Sequence, residues 1–284
     1  MIAECVLKAR AVLGEGPVWH EGRLLWVDIE RGEIHQFDPA TRVDRHWSFP
    51  HRLGFVVPSV RGDFVVGTDQ GLARFEVTTG ALTHVATPEP NLPGNRFNDA
   101  KCDPAGRLWA GTMSVSEEPE RGTLYCIESS WHTQPMVRSV SISNGLAWSP
   151  DGRTLYYIDS PTRRVDAFDF DPATGEISKR RTVIEVTDGF PDGMAADNQG
   201  RLWVAIWGGG CVACFDPRNG SRLATISVPA RDVTSCCFGE ADELYITTAS
   251  RDLDPAGRQQ QPLAGGVFRA RVGAGGLPIR CFEG

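Results

Sequence analysis

The chain has 284 residues, of which 41% are hydrophobic and 23% charged, with 31 glycines, 19 prolines and a net charge of −7. That composition supports a packed core with many turns, argues against a nucleic-acid surface, which needs a basic stripe, and is favourable for binding cations. No apolar run approaches the roughly 18 residues that cross a membrane, and the N-terminal MIAECVLKARAVLGEG, with Glu4 and Lys8 inside its apolar part, lacks the basic-then-apolar order of a signal peptide, so a cytoplasmic protein is expected.

In chain order, the first element is ECVLKARA, a strand-like pattern that precedes any repeat. A phrase then recurs six times: a glycine-containing or polar turn followed by an apolar strand. The copies are EGRLLWVDI (21–29), RGDFVVGT (61–68), AGRLWAGT (105–112), DGRTLYYID (151–159), QGRLWVAI (199–206) and ADELYITT (241–248). Aligned on Trp26, Val65, Trp109, Tyr156, Trp203 and Tyr245, they are 39, 44, 47, 47 and 42 residues apart. Each unit adds a second strand signal, such as GEIHQFDPAT (32–41) or GCVACFDPRNG (210–220), and further short β-branched runs such as LTHVA and LATISV lie between units. Several strands end in Asp-Pro and Gly turns. Four short strands per period of about 45 residues, repeated six times, predict an all-β, six-bladed β-propeller. The eight helices of a TIM barrel are absent, and no linker divides the chain, so residues 1–284 are expected to form a single domain. The loop 251–264 is polar and lies inside the sixth unit. Open sheet edges are a liability, so ECVLKARA is expected to complete the last blade.

Eight cysteines are too few for a disulfide scaffold. Cys211–Cys214 and Cys236–Cys237 read as reduced thiols packed in strands, because a zinc site needs a second CxxC or a His pair.

Counting back eleven residues from each aligned position (twelve from Tyr156) gives Glu15, Gly54, Asn98, Asn144, Asp192 and Thr234. Each begins the strand before the GRLW-type strand. In a propeller that strand lines the central channel, so these positions fall on one ring at one end. Four carry carboxylate or amide oxygens. Asn and Asp beside Gly often only form turns, but four in register would otherwise be an uncompensated polar cluster. Such oxygens suit Ca²⁺, Mg²⁺ or Mn²⁺. Glu15 and Asp192 supply two negative charges, Asn144 a neutral oxygen, and water the remaining places. Within NRFND, an extended backbone places Arg96 on the side of Asn98 and turns Phe97 and Asp99 away, Asp99 toward the scaffold.

LGEGPVW, NRFNDAKCDPAGRLWAGTM, ISNGLAWSPDGRTLYYIDS, PDGMAADNQGRLWVA, TSCCFG and QPLAGGVF together resemble the senescence marker protein (regucalcin)/gluconolactonase/luciferin-regenerating family, from about residue 10 to 272. The resemblance implies a six-bladed propeller holding one divalent metal (Ca, Zn, Mn or Mg) on Glu15, Asn144 and Asp192. It implies substrate contacts from Arg96, Asn98 and a glutamate after GTM, here Glu117 or Glu118, of which Glu118 is the candidate. The implied reaction is hydrolysis of a sugar lactone to the aldonic acid by metal-activated water, with Asp192 as proton acceptor. No GxSxG or Ser–His–Asp arrangement is present, which favours water over an acyl-enzyme. Rival readings are a calcium-binding regulatory protein without turnover, a propeller used as an interaction scaffold, and a promiscuous organophosphate hydrolase. The expected partner is a small-molecule lactone, with no nucleic acid or membrane, and the chain is expected to be a monomer or weak oligomer. Loops 114–121 and 251–264 would shape the choice of sugar.

Overall fold

The computed structural model describes residues 1–284. The chain forms six four-stranded antiparallel sheets. The innermost strands are Gly14–His20, Leu53–Pro58, Asn95–Cys102, Ser143–Trp148, Phe190–Ala196 and Val233–Phe238. Each packs against the innermost strand of the next blade, and the sixth packs against the first. The ring is therefore closed, and the propeller expected from the repeats is the observed architecture.

Closure uses the N-terminus. Glu4–Leu7 pairs antiparallel with Val267–Arg271 and becomes the outermost strand of the sixth blade. Ala3 and Ser227 add a backbone bond to the fifth blade. The three inner strands of the sixth blade come from the other end of the chain, so the first and last segments are held in one sheet. The only α-helix is Pro255–Gln260, inside the exposed 251–264 loop. No helix is long and apolar enough to cross a membrane. All eight cysteines are free thiols.

The physical content of the GRLW phrase is a buried carboxylate that ties a turn to the strand after it. Asp103 Oδ2 accepts from Arg107 Nε (2.6 Å) and Trp109 Nε1 (3.1 Å), while its Oδ1 accepts from the backbone N–H groups of Ala105 and Arg107. Asp197 repeats the arrangement with Arg201 (2.6 Å), Trp203 (3.0 Å) and the N–H groups of Gln199 and Arg201. Both carboxylates are fully buried, and this cage of donors satisfies them. The tryptophans they hold fill the layers between blades.

Every innermost strand carries one β-bulge, and it falls at the ring position or directly after it. The breaks in register lie between Glu15 and Val18, Leu53 and Phe55, Phe97 and Ala100, Asn144 and Leu146, Pro191 and Met194, and Val233 and Ser235. One extra residue on the inner strand breaks the alternation of faces and re-aims side chains. The glycine in SNG and PDG has a different role from turn formation. Neither Gly145 nor Gly193 has a positive φ. A Cβ on Gly145 would overlap the Asp192 carbonyl and Ile158, and one on Gly193 would overlap the Ser235 side chain. These glycines let adjacent inner strands approach closely at the ring.

Deleting residues 1–10 strips the outer strand from the sixth blade and exposes the edge of Val267–Arg271. The melting temperature should fall by several degrees, since about 1 kcal/mol corresponds to roughly 2–4 °C in a domain of this size. Unchanged thermal unfolding would contradict closure by this strand.

Candidate active site

The bulges bring the side chains of Arg96, Asn98, Asn144 and Asp192 to one end of the channel, joined or coupled as follows. Arg96 Nη1 donates to Asn98 Oδ1 (2.6 Å) and to the Phe97 carbonyl (3.0 Å). Asn98 Nδ2 donates to Asn144 Oδ1 (2.9 Å) and to the Ser143 carbonyl (2.8 Å). Asn144 Nδ2 donates to Ser160 Oγ (2.8 Å), which donates to the Pro191 carbonyl (2.7 Å). One chain of hydrogen bonds thus runs from the third blade through the fourth to the residue before Asp192 in the fifth.

Glu15 and Asp192 are both buried. Glu15 accepts from the Gly16 N–H at 2.9 Å. Asp192 Oδ1 is buried without any hydrogen-bond partner. Burial raises the Glu15 carboxyl from the ordinary range to about 8; the charge of Asp99 adds to this, and the Gly16 N–H and Arg96 oppose it. Asp192 is pushed well above the usual range by burial first, then by the charges of Glu15 and Asp99. Arg96 is itself buried, and desolvation brings its guanidinium down to about 10 despite Glu30 and Glu15. The buried charges of Glu15, Asp192 and Asp99 thus act on one another, with Arg96 acting on Glu15.

Asp99 corrects an expectation. Simple alternation would turn it toward the scaffold, but Asn98 and Asp99 both lie in the bulge opposite Gly111. Asp99 lines the channel and raises the carboxyls of both Glu15 and Asp192. On its far side is a cavity of about 370 Å³ that includes Lys101, Cys236 and Leu277 in its lining. The C-terminal segment crosses that end: Gly275 accepts from Asn198 of the fifth blade, and Phe282 bonds Pro58 and Val60 of the second.

The two remaining ring positions carry no free oxygen. Gly54 lies against the Phe97 carbonyl, and the Thr234 hydroxyl donates to the Gly14 carbonyl at 2.6 Å. Glu118 stands exposed, its carboxylate near Arg121 (3.6 Å) and the Ser116 hydroxyl (3.1 Å). No hydrogen bond or ion pair joins it to Arg96 or Asn98. Its neighbour Glu117 instead meets Arg251 Nη2 at 3.0 Å. These two belong to the third and sixth blades, which are opposite in the ring, so their loops meet over the mouth. Arg251 also stacks on Trp207 at 5.5 Å and acts on the charges of Asp192 and Arg96.

This donor set fits a hard divalent cation. Two buried carboxylates make no direct ion pair, one of their oxygens lacks any partner, and the Asn144 oxygen stands at the equivalent position of the neighbouring blade. No three His, Cys, Asp or Glu side chains lie close enough to hold an ion by themselves, so a set drawn from this ring includes the Asn144 amide. Carboxylate and amide oxygens suit Ca²⁺, Mg²⁺ or Mn²⁺. Ser160, which reading the sequence missed, holds that amide. Its only signal is its place after the GRLW-type strand, in YYIDSP.

The model of the SMP-30/Gluconolactonase/LRE-like region matches residues 13–250. YvrE of Bacillus subtilis (strain 168), whose name proposes a sugar lactone lactonase, is 40% identical over 289 residues, covering 99% of both chains. Regucalcin of Oryctolagus cuniculus is 39% identical, covering 99% of this chain and 98% of its own. The solved structure of a calcium-binding protein, regucalcin, from Agrobacterium tumefaciens superposes with a TM-score of 0.94 at 29% identity, covering 99% of this chain and 97% of that one.

The raised carboxyls have a consequence for stability. An acid whose folded pKa is raised keeps its proton in the fold while the unfolded chain releases it. Stability of the metal-free protein should fall as pH rises from the ordinary glutamate range, about 4.3, through about 8 for Glu15. A saturating divalent cation should flatten this slope in thermal unfolding. An equal slope with and without Ca²⁺ or Mn²⁺ would count against a cation at the ring.

Proposed function

The chain belongs to the SMP-30/gluconolactonase/LRE-like family, and from that premise we propose that it hydrolyses a sugar lactone to the aldonic acid, with one divalent cation held by Glu15, Asn144 and Asp192. The observation that carries the reading is the pairing of two buried carboxylates that make no ion pair with an Arg96–Asn98 arm that has defined vacant hydrogen-bonding capacity. A bound cation would polarise the lactone carbonyl and acidify a water molecule.

The chain's own groups have separable tasks. Both Nη1 protons of Arg96 are committed to Asn98 and Phe97, which leaves Nε and Nη2 to donate to lactone oxygens. Both Nδ2 protons of Asn98 are committed as well, so its remaining capacity is one lone pair on Oδ1. That site accepts from a ligand hydroxyl, which favours a hydroxylated lactone over a plain ester. Asp192 accepts the proton of the attacking water, its Oδ1 being free of any other hydrogen-bond partner. As the acyl C–O bond breaks, that proton returns to the ring oxygen, which leaves as an alcohol. The Glu117–Arg251 contact lies over the mouth and would limit water exchange while the ligand is bound.

Calcium-binding regulation without turnover is the second reading, favoured by the regucalcin relatives. It uses the carboxylates and leaves the Arg96–Asn98 arm without a task.

A pH-indicator assay across aldonolactones should detect turnover above spontaneous hydrolysis with Ca²⁺, Mn²⁺ or Zn²⁺. EDTA, Glu15→Ala and Asp192→Ala should each abolish it. Full turnover after rigorous metal removal, or in both variants, refutes the assignment. Arg96→Ala should raise KM roughly 10–100-fold, the equivalent of a lost hydrogen bond to a charged group, about 1.5–3 kcal/mol. Its metal affinity should stay within about threefold of wild type by titration calorimetry, as expected for a residue outside the ligand set.

A further inference from the structure

The hydrogen-bond chain through the site has a fixed polarity, set independently at both ends. Arg96 has only donors, so it can meet only the oxygen of Asn98. The Pro191 carbonyl has only acceptor capacity, so the Ser160 hydroxyl must donate its single proton there at 2.7 Å. With its proton committed, Ser160 Oγ can only accept from Asn144, at 2.8 Å. The nitrogen of the Asn144 amide is thereby drawn toward Ser160, and its oxygen is left facing Asn98.

Ser160 is well placed for this. It opens a 3-10 turn, Ser160–Thr162, next to the inner strand of the fourth blade. Its N–H donates to the Ile142 carbonyl at 3.2 Å. Asp159 accepts from the N–H groups of Ser141 and Ile142, which lead into Asn144. The side chain is buried, so no water competes for the contact.

We propose that Ser160 is a positioning residue that orients the Asn144 amide so that its oxygen, rather than its nitrogen, faces the metal position. The inference rests on the metal assignment made above. An amide turned the other way would present N–H groups to a cation, and a swinging one would hold it poorly. Partners that orient a metal ligand typically contribute 10–100-fold to affinity when removed.

The test is Ca²⁺ and Mn²⁺ titration calorimetry on Ser160→Ala, Ser160→Thr and Asn144→Asp, and on Ser160→Ala combined with Asn144→Asp. Ser160→Ala should weaken binding roughly 10–100-fold, and Ser160→Thr, which keeps the hydroxyl, should restore most of it. An aspartate presents oxygen in either orientation, so in the Asn144→Asp background the serine should matter less than about threefold. An equal loss in both backgrounds, or no loss in either, overturns the proposal. A readout without metal separates this from the metal assignment. The Asn144 side-chain amide protons should exchange slowly in wild type by NMR and fast in Ser160→Ala. If wild type binds no cation but shows this contrast, the metal assignment fails and the orienting role stands. Equal exchange rates overturn the orienting role whatever the metal result.

Discussion

One extra residue at the head of each inner strand governs the site. A regular strand would send alternate side chains to the axis and to the next layer. At the bulge the ladder releases residues from pairing, and consecutive side chains serve the channel. Asn98 and Asp99 are adjacent, and both bear on the same ring. The bulge recurs in all six blades, including the second and sixth, whose ring residues are Gly54 and Thr234. The scaffold therefore makes six equivalent sockets, and chemistry is decided by which residues fill them.

Filled sockets and structural carboxylates differ in how far they are satisfied. Asp192 is nearly fully buried, and Asp103 and Asp197 are completely so. They each accept four hydrogen bonds from an arginine, a tryptophan and two backbone N–H groups. Asp192 has an oxygen with no partner and two like charges beside it. Burying an ionised carboxylate unpaired is costly, and a protein avoids it where it can. The same chain solves the problem completely at two positions and leaves it open at a third. That contrast marks Asp192 as a position kept for something other than folding.

Much of this was legible in the sequence because one phrase recurs in every unit. Its six copies set the blade number and, by counting back, the ring, while the cost of an open edge pointed to the closing strand. What was hidden depended on departures from periodicity. Asp99 was assigned to the scaffold by alternation, which fails at a bulge no residue type announces. Ser160 is an ordinary serine in a turn, and only the meeting of two blades gives it Asn144 and the Pro191 carbonyl. Glu117 and Glu118 are identical in type and adjacent, so composition cannot say which reaches Arg251 and which faces Arg121. The missing side chains of the glycines in SNG and PDG make room for a neighbouring strand, a contact between blades that no local pattern shows.

The two ends of the channel are treated differently, and the difference bears on direction of access. At the far end the C-terminal segment is tied to the second and fifth blades through backbone hydrogen bonds. Opening it means breaking several of these together. At the ring end a single exposed ion pair, Glu117 with Arg251, spans the mouth. Exposed pairs of this kind contribute about 0–1 kcal/mol, so thermal motion breaks such a contact readily. A ligand therefore meets the weaker closure on the side where Arg96, Asn98 and Asp192 lie. The cavity beyond Asp99 sits behind the stronger one.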